Sequence, residues 1–182
     1  MVKEKGELNM YKYTYTQPIS LETTPITPVY NEESILAYKF QRHYSSGIKK
    51  YIDKLMDYRY FLQYDVYDLE NQLVFTCKKV SRKGSIYFEA YDYLTKEKYM
   101  VAYDKWKELI PDLIITKGNL QIHIQKEMEG WSRFICDGKE IAKWKADMDG
   151  EFLIQLEIAE DSPIQHPAFF IGISQCVLFI GG

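Results

Sequence analysis

The sequence predicts a mainly β fold: a closed antiparallel barrel of about 12 strands around a buried hydrophobic C-terminal α-helix. Three observations predict it. Tyrosine, which favours strands, supplies 16 of the 182 residues. Short strand-like segments divided by turn-forming residues follow one another along the chain. The last segment, residues 168–182, carries no charged residue and therefore needs an interior to lie in.

Three strands are predicted before residue 45. Tyr11 to Thr16 alternates tyrosine with lysine and threonine, which is typical of a strand with one buried face. Thr24 to Tyr30 is predicted as a short or edge strand, because its prolines cannot donate to a ladder. Ile35 to Gln41 is the third. Residues 1–10 are expected to be flexible.

A helix is predicted over Gly47 to Tyr58. Apolar residues recur there at the spacing of one helix face, with Lys49, Lys50 and Lys54 between them. The members of this apolar face are Ile48, Tyr51, Ile52 and Leu55.

From residue 60 onward the pattern is a run of hairpins, because short turn signals separate successive strand-like segments. Asp137-Gly138 is among the strongest of these signals. The predicted strands are Tyr60–Tyr67, Gln72–Val80, Ser85–Tyr91, Lys98–Tyr103, Leu113–Thr116, Leu120–Gln125, Trp131–Cys136, Glu140–Lys145 and Phe152–Ile158. They form one uninterrupted series, so the whole chain, residues 1–182, is predicted to be a single domain.

The uncharged segment after Pro167 admits three interpretations. As a membrane helix it would reach only about 22 Å against about 30 Å of hydrocarbon. As a buried strand it is too long without a break. As a central helix over residues 168–180 it matches the height of a tilted barrel, and a barrel needs about eleven or twelve strands to enclose a helix. The strand count therefore favours the central helix.

These features resemble the tubby C-terminal-like superfamily, in particular its LURP-one-related and small Firmicute members. The hairpin Tyr64 to Phe75 is similar to the family's V-x-D-x-x-G-x-L-v-F strand pair, and a second short-turn hairpin follows over Ile86 to Val101. The uncharged helix after a proline completes the likeness, which spans Tyr11 to Gly182. The resemblance implies a closed barrel of about twelve strands around a C-terminal helix.

The sequence departs from that family pattern in two ways. Asn71 stands where a turn glycine is usual. Tubby proteins proper bind phosphoinositide head groups through basic residues on the barrel wall, and those residues do not align with this chain position by position. Lipid binding is therefore not carried over by resemblance.

Composition narrows the function classes. The chain has 23 Lys+Arg against 26 Asp+Glu, a net charge of −3, and no basic excess of the kind that predicts nucleic-acid binding. His43, His123 and His166 lack metal-ligand spacing, and no phosphate-binding glycine loop occurs. Cys77, Cys136 and Cys176 are predicted to be free thiols in a reducing, cytoplasmic setting. We predict no catalytic set, no cofactor, no metal and no transmembrane span.

One local charge feature remains, the basic hairpin end formed by Lys78, Lys79, Arg82 and Lys83. Such an end can hold a phosphate or an anionic lipid head group, and it can equally be a solvated turn that protects a strand edge. The leading hypothesis is a non-enzymatic binding or scaffold module, cytoplasmic or peripheral at the membrane, whose partner is an anionic head group or a protein.

Two alternatives come from other classes. An enzyme would use acids such as Glu89, Asp92 or Glu97 in a groove, which requires titratable groups that converge on a concave site. A small-molecule carrier would need a hollow barrel, and therefore a last segment that is a strand rather than a helix.

Overall fold

A computed structural model describes residues 9–17, 25–56, 60–82, 85–104, 112–127, 130–147 and 152–178. These residues form twelve strands and two helices. The strands are β1 (Met10–Thr16), β2 (Thr27–Asn31), β3 (Leu36–Arg42), β4 (Gln63–Tyr67), β5 (Leu73–Arg82), β6 (Ser85–Asp92), β7 (Glu97–Tyr103), β8 (Leu113–Lys117), β9 (Leu120–Gln125), β10 (Ser132–Cys136), β11 (Lys139–Asp147) and β12 (Leu153–Ala159). The helices are α1 (Gly47–Leu55) and α2 (Pro167–Val177).

Each strand pairs antiparallel with its neighbours in the chain, and β12 returns to pair with β1. That closing pair runs in continuous register from Met10 opposite Ala159 to Thr16 opposite Leu153. The predicted closed barrel of twelve strands is thereby confirmed. Closure also corrects the view of β2 as an edge strand: it is short, but it pairs with both β1 and β3.

The turns follow the residue chemistry that predicted them. Asp137 and Gly138 both have positive φ, 49° and 75°, as a two-residue hairpin turn requires. Asn71 has φ 62° at the place of the usual turn glycine, and asparagine tolerates this region better than most residues. The departure at residue 71 therefore leaves the turn intact.

The centre of the barrel is occupied by α2. Residues 168–177 of this helix are all buried, so it is surrounded on every side. Pro167 occupies its first turn, where a missing N–H costs no hydrogen bond. The central helix is confirmed with bounds Pro167–Val177, and the strand and membrane interpretations are wrong. Residues 179–182 lie outside the described part, and neither described helix is long and apolar enough to cross a bilayer.

Close packing joins α2 to the wall. The ring of Phe169 makes edge-to-face contacts with Phe75 at 5.7 Å and Tyr99 at 5.0 Å between centroids. The amide of Gln175 donates to the Tyr15 hydroxyl at 2.7 Å. Burial raises the pKa of Tyr15 to about 12, so this hydroxyl stays protonated. These contacts fix the rotation of the helix inside the barrel.

The three cysteines are free and buried, as predicted. Burial and the neighbouring Cys176 raise the pKa of the Cys77 thiol well above its ordinary value. The Cys176 thiol donates to the Cys77 carbonyl at 3.1 Å. Both groups therefore act as small interior side chains between β5 and α2.

His166, the residue just before α2, is half-buried beside a carboxylate. Its Nδ1 lies 3.4 Å from Asp92 Oδ2, and its ring packs edge-on against Tyr38. Burial lowers the pKa of His166, and the nearby Asp92 opposes that shift only in part. The folded state therefore binds a proton at this site less readily than the unfolded chain.

We expect a pH-dependent loss of stability at this histidine. A histidine whose pKa is lowered on folding contributes its full stabilisation above its unfolded-state pKa of about 6.5. That stabilisation is lost as pH falls from there toward its folded-state pKa. The free energy of unfolding should therefore fall more steeply below about pH 6.5 in the parent than in His166→Gln. Denaturant titrations at several pH values measure this difference, and parallel curves for the two proteins would contradict it.

Candidate functional site

The short helix α1 is held to the barrel by a buried carboxylate. Asp53 is 0% exposed and accepts four hydrogen bonds. Its Oδ2 accepts from Arg42 Nη2 and from the Tyr44 hydroxyl, both at 2.6 Å. Its Oδ1 accepts from the backbone N–H groups of Tyr60 and Phe61, both at 2.8 Å. A polar residue, rather than an apolar one, thus anchors this helix.

The apolar face of α1 points to solvent. Ile48 is 73% exposed, Tyr51 65% and Leu55 69%, and Ile52 and Met56 are exposed as well. An amphipathic helix normally turns this face toward the core. Contiguous exposed apolar side chains of this kind mark an interaction surface. We call Ile48, Tyr51, Ile52 and Leu55 the apolar face of α1.

Lysines gather beside this face. Lys49, from the first turn of α1, and Lys78 and Lys79, from β5, line one small concavity of about 90 Å³. Ser46 caps the helix by accepting from the Lys49 N–H, while Lys49 Nζ donates to Ser45 Oγ and lies 5.6 Å from the Phe61 ring centre. We call this arrangement the lysine concavity.

The predicted basic hairpin end is only partly described. Lys78 forms an ion pair with Glu89 at 3.2 Å across the β5–β6 ladder. Burial lowers the pKa of the half-buried Lys79, although Asp53 opposes the shift. Arg82 is the last residue of β5, but its side chain and the whole of Lys83 lie outside the described residues. The structure adds Lys49 to this set, a residue that the sequence analysis placed only on the predicted helix.

A second concave feature lies on the outer wall of β4 to β8. It is a groove of about 860 Å³, and it adjoins the lysine concavity through His43, Gln63 and Lys78. We call it the wall groove. Outward-facing residues in register across the strands form it, as in the row Asp65, Thr76 and Tyr91.

A buried carboxylate organises one end of the wall groove. Asp65 Oδ1 accepts from Thr76 Oγ1 at 2.5 Å and from Gln63 Nε2 at 3.0 Å. Asp65 Oδ2 lies 3.5 Å from Nδ1 of the exposed His43. These side chains are held in place by one another, which is the usual condition of a pre-formed polar site.

The acids considered for catalysis do not meet at one point. Glu89 lines the wall groove and pairs with Lys78. Asp92 is buried and accepts from the N–H groups of Leu94 and Thr95, so it holds a turn. Glu97 binds Lys117 and the Tyr99 hydroxyl, and hydrogen bonding to them lowers the pKa of Glu97. Two of the three therefore have evident structural roles.

Comparison with protein families places residues 13–180 in the Tubby C-terminal like domain. The chain belongs to the tubby C-terminal-like family. The twelve-strand barrel and its enclosed helix are those expected from the resemblance of its hairpins. No curated protein and no solved structure matches the chain.

Membership in the tubby C-terminal-like family indicates a binding or scaffold module, and this family is generally non-enzymatic. The hollow-carrier alternative is wrong, because α2 occupies the space that a cargo would need. Within the described residues, binding is left to the outer surfaces: the apolar face of α1, the lysine concavity and the wall groove.

Proposed function

We propose that this tubby-like domain binds the surface of anionic membranes, with α1 lying in the lipid interface. The observation that carries the proposal is the orientation of α1, whose apolar face is exposed while Asp53 is buried. In this proposal the protein is cytoplasmic and peripheral at the membrane. The lysines at positions 78, 79 and 83 and Arg82 contribute the charge, together with Lys49.

The apolar face supports this proposal energetically. Fully burying one Leu or Ile side chain is worth about 1.5 to 3 kcal/mol. Partial insertion of Ile48, Ile52 and Leu55 among lipid chains thus supplies several kcal/mol, since all three are exposed in the free protein. Interfacial helices combine such a face with flanking lysines, and α1 carries Lys49, Lys50 and Lys54.

The lysine concavity favours an anionic ligand. A lysine close to an anionic membrane contributes about 1 kcal/mol. Lys49, Lys78 and Lys79 converge on a space beside the apolar face, so a phosphate there would meet ammonium groups while the lipid chains meet α1. Asp53 also lies close by, but its negative charge is already paired with that of Arg42.

Vesicle flotation tests the proposal. The full chain should float with phosphatidylcholine vesicles that contain phosphatidylglycerol, and much less with phosphatidylcholine alone. Lys49→Glu should weaken the binding about ten- to thirtyfold, because two units of charge change at the surface. Leu55→Ser should weaken it through lost apolar contact while leaving its salt dependence in place.

Lys12→Glu is the matched control, since Lys12 is exposed on β1, three strands away from β4. It should float like the parent. Changing Lys78, Lys79, Arg82 and Lys83 together to Glu tests the hairpin end, with circular dichroism to confirm folding. If the parent, Lys49→Glu and Leu55→Ser are recovered equally in the floated vesicle fraction, membrane binding is overturned. A protein partner would then remain as the occupant of the apolar face.

A further inference from the structure

The wall groove lies apart from the apolar face of α1, although it shares Lys78 with the lysine concavity. It occupies the outer wall over β4 to β8, while the apolar face belongs to α1. Its volume of about 860 Å³ is in the range of small-molecule sites, about 300 to 1,000 Å³. It therefore has the size to hold a ligand of its own.

The charges in and beside the wall groove nearly cancel. Lys78, Lys98 and Lys117 line it together with Asp65 and Glu89, and Glu97, which is not part of the lining, pairs with Lys117. Lys78 pairs with Glu89 and Lys117 with Glu97. A strongly charged ligand would gain no net attraction here and would have to break these pairs. The charge balance favours a neutral ligand.

Flat apolar surfaces accompany the polar groups. Tyr87, Tyr91 and Tyr93 line the wall groove. Met100, which also lines it and is exposed, lies directly opposite Glu89 on the neighbouring strand. The rings of Tyr91 and Tyr93 meet edge to face, with centroids 4.7 Å apart at 89°. Rings held in this way offer rigid contact area with little loss of side-chain freedom on binding.

The polar groups offer both donors and acceptors at short spacing. Glu89 and Asp65 accept, Lys78 donates, and the Gln63 amide does both. A hydroxyl group likewise donates and accepts, so a hydroxyl-rich ligand can satisfy such a set without net charge. Sites built to bond hydroxyls discriminate strongly against molecules that lack them.

An extended peptide is a poorer fit. Peptides that bind to sheets usually gain affinity from a free strand edge. Strands β4 to β8 are each paired on both sides within the closed barrel, so among the described residues this wall has no free edge. The contacts available are those of side chains alone.

We propose that the wall groove binds a neutral oligosaccharide. The tyrosine rings and Met100 would lie against the C–H faces of the sugar rings. Asp65, Gln63, Lys78 and Glu89 would bond the ring hydroxyls. The two sites share Lys78, but either proposal can fail without the other.

Methyl NMR of the full chain labelled with ¹³C-methyl methionine tests the site. The probes are maltohexaose, cellohexaose and chitohexaose, each titrated to its solubility limit. The Met100 signal, assigned with Met100→Leu, should shift in a saturable way with at least one probe. The Met56 signal, at the end of α1, should stay fixed.

Tyr91→Ala and Tyr93→Ala should each weaken the sugar affinity measured from this shift about tenfold, which is the scale of one lost aromatic contact. Tyr11→Ala is the matched control, because Tyr11 is an exposed tyrosine on β1. Lys49→Glu, which weakens the proposed membrane site, should leave the titration unchanged. A Met100 signal unmoved by all three sugars, or moved equally in Tyr91→Ala, would overturn the proposal.

Discussion

A chain that ends at Gln165 is expected to lose its cooperative fold. The ten residues from 168 to 177 are all buried, and they fill a twelve-strand barrel that its own inward side chains cannot fill. The truncated protein should keep strand signal in the far ultraviolet but lose its near-ultraviolet signal, bind a hydrophobic dye and unfold without a sharp transition. A cooperative thermal transition in the truncated chain would contradict the central role of α2.

A milder pair of variants tests the same packing in the full-length chain. A Cβ built on Gly172 would lie 2.6 Å from Cδ1 of Phe75, whereas one on Gly47 meets nothing within 4 Å. Gly172→Ala should therefore lower the free energy of unfolding by about 1 to 3 kcal/mol through overpacking. Gly47→Ala should be neutral or raise it by up to about 1 kcal/mol through helix propensity. Equal effects of the two substitutions would contradict close packing at Gly172.

Much of this architecture could be predicted from the sequence, because its signals are local. An uncharged segment must be buried, and Asp137-Gly138 makes a tight turn wherever it occurs between strands. The periodicity of Ile48, Tyr51, Ile52 and Leu55 located α1 for the same reason. The helix ends at Leu55 rather than at residue 58, and residues 57–59 lie outside the described part.

The surfaces could not be predicted, since they depend on partners far away in the chain. Periodicity does not tell which face of α1 is buried, because Asp53 finds Arg42 on β3 and two backbone N–H groups near residue 60 only after folding. The wall groove likewise needs the register that sets Asp65 opposite Thr76, and Thr76 opposite Tyr91. Asp65, a charged residue between Tyr64 and Val66, is the local sign in the sequence that the outer face of β4 is polar.

Asp53→Ala is expected to destabilise the protein strongly. Arg42 follows Phe40 by two residues on β3, so it lies on the inner side of the strand, where its side chain is 3% exposed. Without the carboxylate its guanidinium loses the partner at 2.6 Å, and the N–H groups of Tyr60 and Phe61 lose their acceptor. Removing one partner of a buried pair costs about 3 to 5 kcal/mol, and the free energy of unfolding should fall by that amount.

A double variant separates the charge from the shape of this anchor. Asp53→Asn with Arg42→Met removes both charges while the asparagine oxygen still accepts from Tyr60 and Phe61. Because a buried ion pair is often no more stable than apolar groups of similar volume, this double variant should recover most of the lost stability. Denaturant unfolding measures it, and hydrogen exchange at Tyr60 and Phe61 reports whether α1 stays docked. A single Asp53→Ala variant within about 0.5 kcal/mol of the parent would show that α1 is held by something other than this carboxylate.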